Sequence, residues 1–178
     1  MSKALEFSLT LYPSPVLRKR AGEITRFDAD LEATVKAMYD LMFESHGVGL
    51  AAPQVGLDQR ILVLNDKGDP EQPEFNLTLV NPTIVARGGD KTLHEEGCLS
   101  FPGIYGEIER PDRCTVEAVD VKGNPIRMEF DGFRSRIVQH EYDHLEGILL
   151  VDRLSPADKH KNRAALQELV DQYKADKG

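Results

Sequence analysis

A stripe of apolar residues at helical spacing marks the first predicted element of the chain. The stripe consists of Leu31, Val35, Met38, Leu41 and Met42. Residues three and four apart lie on the same face of a helix, so this spacing predicts an amphipathic helix. Asp28 or Asp30 can cap its N-terminus, and Gly47 ends the pattern. We predict a glycine-rich loop after this helix.

Two stretches in the middle of the chain have the composition of β-strands. Residues 60–65 form a short apolar run, RILVLN, which predicts a buried strand. Residues 77–87 predict a second strand, which is interrupted by Asn81-Pro82. Because proline cannot donate a hydrogen bond to a sheet, this interruption favours an edge position or a bulge.

The second half of the chain predicts a hairpin followed by helices. Residues 114–130 contain two strand-like runs around a turn at residues 122–125, which indicates an antiparallel hairpin. Residues 133–146 predict a helix, and Ser155-Pro156 is typical of the start of another helix, which we place at about residues 156–175. Since strands and helices segregate along the chain, we predict the α+β class.

Length and composition limit the classes of function. A length of 178 residues suits one domain, predicted to span residues 1–178, and a net charge of −8 argues against broad electrostatic binding to DNA. No apolar run approaches the ~20 residues that span a bilayer, and residues 1–7 lack the pattern of a secretory signal. Only two cysteines are present, Cys98 and Cys114, so we expect a reducing compartment, the cytoplasm.

The pattern HEYDH at residues 140–144 is the strongest chemical signal in the sequence. Positions i and i+4 share one face of a helix, so His140 and His144 can bind one metal ion. Glu141 lies beside them and could act on water without binding the metal. Phe133 and Ile137 fall on the same helical face, two turns and one turn earlier, where they would form an apolar wall.

The third metal ligand remains open on residue pattern alone. A catalytic site of this kind needs three protein ligands and one open position. One peptidase group places a histidine six residues after the second, but that position is Leu150 here. Another group uses a downstream glutamate, and Glu168 fits by count. Cys98 and Cys114 are the other candidates, and together with both histidines they would form a closed structural zinc site.

Three segments together resemble the peptide deformylase family. They are GVGLAAPQ at residues 47–54, EGCLS at residues 96–100 and QHEYDH at residues 139–144. Their order and separation match the family as well, and the resemblance extends over roughly residues 11–156. It implies antiparallel β-sheets packed around a central metal-binding helix, with a C-terminal helix after them.

The resemblance also implies a role for each residue of the three motifs. Cys98, His140 and His144 would bind one divalent metal, usually Fe²⁺ in cells, with Zn²⁺ or Ni²⁺ able to replace it. Glu141 would be the general acid and base. Gln54 and the backbone N–H of Leu99 would stabilise the oxyanion. Gly49 would offer backbone contacts to the substrate. From the residue pattern itself, Val48, Phe133 and Ile137 are the candidates for the pocket of the methionine side chain.

The implied activity is removal of the N-formyl group from the initiator methionine of nascent polypeptides, with release of formate. The implied partners are N-formylmethionyl peptides. The charges of the C-terminal helix are typical of a solvated face, and the alternative interpretation is a weak contact with the ribosome near its exit tunnel. The sequence around the motif at residues 96–100 departs from the family at two positions. Some bacterial members carry an arginine where this chain has Tyr105, and an apolar pocket residue is expected where it has His94. Two rival interpretations are a metallopeptidase that uses Glu168 and a non-enzymatic zinc protein.

Overall fold

The first helix forms where the apolar stripe predicts it. The structure is a computed structural model that describes residues 4–178. Helix α1 spans Ala29–Glu44, and the side chain of Asp28 caps it by accepting a hydrogen bond from the backbone N–H of Leu31. All five residues of the stripe are buried. The helix ends before Gly47, because His46 already adopts a left-handed conformation with φ of 57°.

Five strands form one sheet in which each strand pairs antiparallel with the next. They are β1 (Gly49–Ala51), β2 (Ile61–Asn65), β3 (Asn76–Cys98), β4 (Phe101–Val119) and β5 (Pro125–Asp131). Strand β2 and the β4–β5 hairpin confirm the strands predicted at residues 60–65 and 114–130. Every residue of β2 is buried, as its apolar run requires.

The structure corrects one strand prediction and decides between the two alternatives of another. Residues 49–51, which we predicted as part of a glycine-rich loop, form β1, because their backbone pairs with residues 62–64 of β2. Strand β3 lies in the middle of the sheet and not at its edge. The interruption at Asn81-Pro82 is a bulge, and the Asn81 side chain exchanges two hydrogen bonds of 2.8 Å with the backbone of Ile24. The side chain thus joins the bulge to the backbone of Ile24, while the backbone N–H of Asn81 donates to the carbonyl of Arg60 at 2.8 Å.

The C-terminal half of the chain contains four helices. They are α2 (Gly132–Leu145), α3 (Leu150–Arg153), α4 (Pro156–Lys161) and α5 (Arg163–Lys177). The single helix predicted at about residues 156–175 is thus two helices. The break lies at Asn162, whose side-chain amide donates to the backbone carbonyls of Tyr105 (2.9 Å) and Asp158 (2.8 Å). Ser155 caps α4 as predicted.

Helix α2 lies in the centre of the molecule, where it packs against β1, β2, β4 and β5. Nine of its residues are buried, including Ile137, Glu141 and His144. The antiparallel sheet around a central helix, with helices at the C-terminus, confirms the predicted α+β fold. The predicted single domain over residues 1–178 stays a prediction, and residues 1–3 lie outside the described residues. Within residues 4–178, no helix is long and apolar enough to cross a membrane.

Candidate metal centre

Helix α2 presents both histidines of the HEYDH pattern to one point. His140 and His144 lie one turn apart, and their ring centroids are separated by 5.3 Å. His144 is almost fully buried, with 1% of its surface exposed. The i, i+4 spacing therefore brings the two imidazoles together as the sequence predicts.

Cys98 joins the two histidines from the end of β3. Its Sγ lies 3.2 Å from Nε2 of His144, and the ligand atoms of all three residues lie within 4.8 Å of one another. A thiolate and two imidazoles are the donors that zinc and ferrous iron prefer, and three protein ligands leave a coordination position open. The residues present therefore fit a catalytic divalent ion.

Glu96 holds His140 from the side opposite to the metal position. An oxygen of Glu96 lies 2.9 Å from Nδ1 of His140, so Nε2 of the ring is the atom free to bind a metal. Burial alone would raise the pKa of Glu96, but the hydrogen bonds from His140 and Arg110 outweigh burial and keep this pKa well below its usual range. Glu96 is therefore an anion that fixes the orientation of the ring.

Three arginines surround the carboxylates behind the site. Arg110 donates two hydrogen bonds to Glu96, of 2.7 and 2.9 Å, and a third of 2.9 Å to Asp143. Arg136 donates to Glu96 at 2.6 Å, and Arg153 binds Asp143 through two nitrogens. Because buried charges are costly unless paired, this network ties β3, β4 and α2 to one arrangement.

Glu141 faces the site with one oxygen free. Its Oε2 is buried and has no hydrogen-bond partner among the described residues. Burial raises the pKa of Glu141 to about 7. A carboxyl with such a pKa can both accept and release a proton near neutral pH. The other oxygen lies against Gly49, where an added Cβ would come within 2.8 Å of it, so β1 and α2 touch directly here.

Gln54 reaches the site from a short 3₁₀ turn after β1. Its Oε1 accepts a hydrogen bond of 2.9 Å from the backbone N–H of Ala51. Its Nε2 lies 3.2 Å from Oγ of Ser100 and 3.6 Å from Sγ of Cys98. The amide nitrogen is thus directed at the metal ligands, as expected of an oxyanion donor. Leu99 lies between Cys98 and Ser100 and lines a cavity that adjoins these residues.

A cavity of about 710 Å³ opens beside the three ligands. The residues expected to contact substrate all line it, namely Val48, Gly49, Phe133 and Ile137. Ile137 is buried, whereas Phe133 is 58% exposed and stands at the mouth. Tyr105 also lines this cavity and covers Gly97, whereas His94 lines a smaller neighbouring cavity of about 320 Å³.

The two rival ligand sets find no support in the geometry. Glu168 is exposed on α5 and does not belong to the ligand cluster. Cys114 is buried in the sheet core, where its Sγ accepts a hydrogen bond of 3.4 Å from Ser135. Burial raises the pKa of the Cys114 thiol, which disfavours the thiolate that a metal needs.

Four residues of the site carried no clear signal in the sequence. They are Glu96, Ser100, Arg110 and Arg136. Glu96 and Ser100 fall inside the motif at residues 96–100, so a carboxylate and a hydroxyl close to a cysteine ligand could have been noted. Arg110 and Arg136 lie 14 and 40 positions from Glu96, and only the folded chain shows their contacts.

Comparisons with known proteins agree with the geometry. The sequence model of the polypeptide deformylase family matches residues 7–160. Peptide deformylase from Thermotoga maritima is 40% identical over 164 residues, which are 92% of this chain and 96% of that protein. Chloroplastic peptide deformylase 1B from rice is 40% identical over 167 residues, but these cover 94% of this chain and only 62% of the rice protein.

Solved structures show the same fold. Peptide deformylase from Plasmodium falciparum superposes with a TM-score of 0.92 at 43% identity, over 94% of this chain and 98% of that one. The match of sequence, fold and motifs confirms the resemblance inferred from the three segments. This chain belongs to the polypeptide deformylase family.

Proposed function

We propose that this chain is a metal-dependent hydrolase that removes the N-formyl group from the initiator methionine of nascent polypeptides and releases formate. One observation carries the proposal. Cys98, His140 and His144 converge beside a cavity into which Glu141 and Gln54 also point, in a chain of the deformylase family. A peptidase that used Glu168 as its third ligand would need Glu168 near both histidines, and Glu168 does not belong to this cluster.

Cys98, His140 and His144 would hold one divalent ion, which we propose to be Fe²⁺ in cells, with Zn²⁺ or Ni²⁺ able to replace it. When bound, the ion supplies Lewis-acid activation of water and of the formyl oxygen. The protein orients two of the three metal ligands through hydrogen bonds. Glu96 binds Nδ1 of His140, and Nε2 of Gln54 donates to Sγ of Cys98.

Glu141 would be the general acid and base of the reaction. Its Oε2, which has no hydrogen-bond partner within residues 4–178, is the atom that takes a proton from the attacking water and later gives it to the amine that leaves. Because the carboxyl touches Gly49 and is buried, few other positions are open to it. The proton is therefore kept beside the reacting atoms.

The oxyanion that develops on the formyl group would be stabilised by two donors of the chain. Gln54 offers an N–H from Nε2, and Leu99 offers its backbone N–H. Each donor of this kind contributes roughly 3 kcal/mol to the transition state in enzymes where it was removed. Gln54 meets the requirement for a preorganised donor, since both ends of its amide are hydrogen-bonded.

The substrate methionine would lie in the cavity against Val48, Phe133 and Ile137, with its backbone along Gly49. An apolar slot suits an unbranched thioether, although such a slot discriminates by only about 1–3 kcal/mol per methylene. The close packing of Glu141 and Ile137 on Gly49 leaves little room beside the carboxylate. We expect this wall to accept formyl and to exclude the larger acetyl group.

The direct test is formate release from formyl-Met-Ala-Ser by anaerobically purified protein, with the metal content measured on the same sample. Acetyl-Met-Ala-Ser is the matched control peptide. We expect formate from the first peptide and no acetate from the second. Protein that carries metal and still releases no formate would refute the proposal.

Two wider predictions extend the proposal beyond the catalytic centre. The half-buried stripe of α5 includes Ala165, Leu166 and Leu169, which pack on a core cluster, so its charged residues remain outside. We propose that the charged outer face of α5 contacts the ribosome weakly. We also propose that the protein acts in the cytoplasm. Cosedimentation with ribosomes at increasing salt tests the first prediction, and cell fractionation tests the second.

A further inference from the structure

Ser100 lies under Gln54 and is fully buried, with 0% of its surface exposed. Its Oγ donates a hydrogen bond of 2.8 Å to the backbone carbonyl of Thr10 and accepts one of 3.2 Å from Nε2 of Gln54. A serine hydroxyl has one proton, so the bond to Thr10 determines which way its lone pairs point. They point at Gln54.

The amide of Gln54 can therefore adopt only one of its two flips. The backbone N–H of Ala51 can only donate, so it requires Oε1 on its side. On the other side, the proton of Ser100 is committed to Thr10, so Ser100 requires a donor there. Both contacts demand the same flip, which turns the second N–H of Nε2 toward Sγ of Cys98, 3.6 Å away, at the place where the substrate would react.

The N-terminal segment fastens both partners. The backbone N–H of Thr10 donates to the carbonyl of Gln54 at 2.7 Å, and the N–H of Tyr12 donates to the carbonyl of Ser100 at 3.0 Å. Residues 10–12 thus connect the turn that carries Gln54 to the turn that carries Ser100. The acceptor of the Ser100 proton belongs to this segment as well.

We infer that Ser100 is a positioning residue, which acts through Gln54 and directs an N–H of the Gln54 amide toward the substrate oxygen. The Thr10 carbonyl is the fixed end of this chain of hydrogen bonds. The inference rests on the proposed function, because it assigns a cause to the orientation of the proposed oxyanion donor.

A double-mutant cycle tests the inference. Ser100→Ala should lower kcat about tenfold, a part of the roughly hundredfold or greater loss that removal of an oxyanion donor costs, and should leave KM and metal content nearly unchanged. In the Gln54→Ala background the same change should lower kcat less than about twofold, because residues that act as a unit are not additive. The matched control is Ser135→Ala, another fully buried serine, which should show no coupling to Gln54.

A second measurement does not depend on activity. In zinc-loaded wild-type protein, the side-chain amide protons of Gln54 should exchange with solvent far more slowly than those of exposed Gln172 in NMR spectra. Ser100→Ala should remove this protection if the variant folds. Equal exchange of the two amides in the wild type would overturn the inference, as would an equal loss of kcat in both backgrounds of the cycle. A wild type that releases no formate would instead overturn the proposed function. The two failures can be distinguished, because the exchange experiment does not need turnover.

Discussion

Gly49→Ala should remove most of the turnover while the protein stays folded. Gly49 is a buried residue of β1, and an added Cβ would lie 2.8 Å from Oε1 of Glu141 and 2.8 Å from Cγ2 of Ile137. Ordinary contacts between carbon atoms lie at about 3.5–4.0 Å, so the neighbours would have to move by about 0.7–1.2 Å. Overpacking of this kind costs about 1–3 kcal/mol of stability.

The effect on catalysis follows from the same displacement. A catalytic group misplaced by about 1 Å loses roughly a hundredfold in rate. We therefore expect kcat/KM for formyl-Met-Ala-Ser to fall about a hundredfold, which corresponds to about 2.7 kcal/mol of transition-state stabilisation. The assay is formate release at several peptide concentrations, with metal content and thermal unfolding measured beside it.

Gly88→Ala is the matched control. Gly88 also lies in a strand of the sheet, but an added Cβ there meets no atom within 4 Å. We expect kcat/KM of this variant to stay within about twofold of the wild type. If Gly49→Ala behaved like Gly88→Ala, the close contact between β1 and Glu141 would have no catalytic meaning, and the argument from the wall beside Gly49 would be wrong.

Three further predictions concern the general base, the metal and the buried charges. Glu141→Gln should retain metal and lose most of its formate release, and full activity would exclude this carboxylate from proton transfer. Cys98→Ser should lose metal on desalting, whereas Cys114→Ser, a change in the sheet core, should retain it; equal retention by both variants would count against the thiolate ligand. Arg110→Met should lower the free energy of unfolding by about 3–5 kcal/mol in urea, because it leaves two buried carboxylates without their shared partner. Arg127→Met removes only an exposed ion pair and should cost less than about 1 kcal/mol, so similar losses would contradict the assigned importance of burial.

Local patterns predicted those elements whose own residues supply the apolar surface that they bury. The apolar stripe of α1 and the apolar run of β2 appear as predicted, because each buries residues that are close in sequence. The stretch at residues 88–113 was not predicted as paired strand. It contains glycines, prolines and many exposed polar residues, and its strand character depends on cross-strand pairing between β3 and β4.

Local sequence also could not predict the break at Asn162. Ser155-Pro156 indicates a helix start before this residue and the apolar stripe within residues 165–173 follows it, so the pattern predicts one continuous helix. The break coincides with hydrogen bonds from the Asn162 side chain to β4 and to the end of α4. These partners lie 57 and four positions away, and the first contact exists only once the helix has packed against the sheet.

The sequence by itself determined the spacing of His140, Glu141 and His144, since the pitch of a helix is a property of the backbone and requires no partner. The family motifs likewise predicted Cys98 and Gln54 as site residues without any knowledge of the fold. Tertiary structure alone decided that a sulfur 46 positions before His144 lies 3.2 Å from its ring, that Glu96 fixes His140, and that Ser100 orients Gln54. These contacts depend on the register of β3 against β4 and on the packing of α2 across the sheet, which are cooperative properties of the whole chain and leave no periodic signal in any one segment.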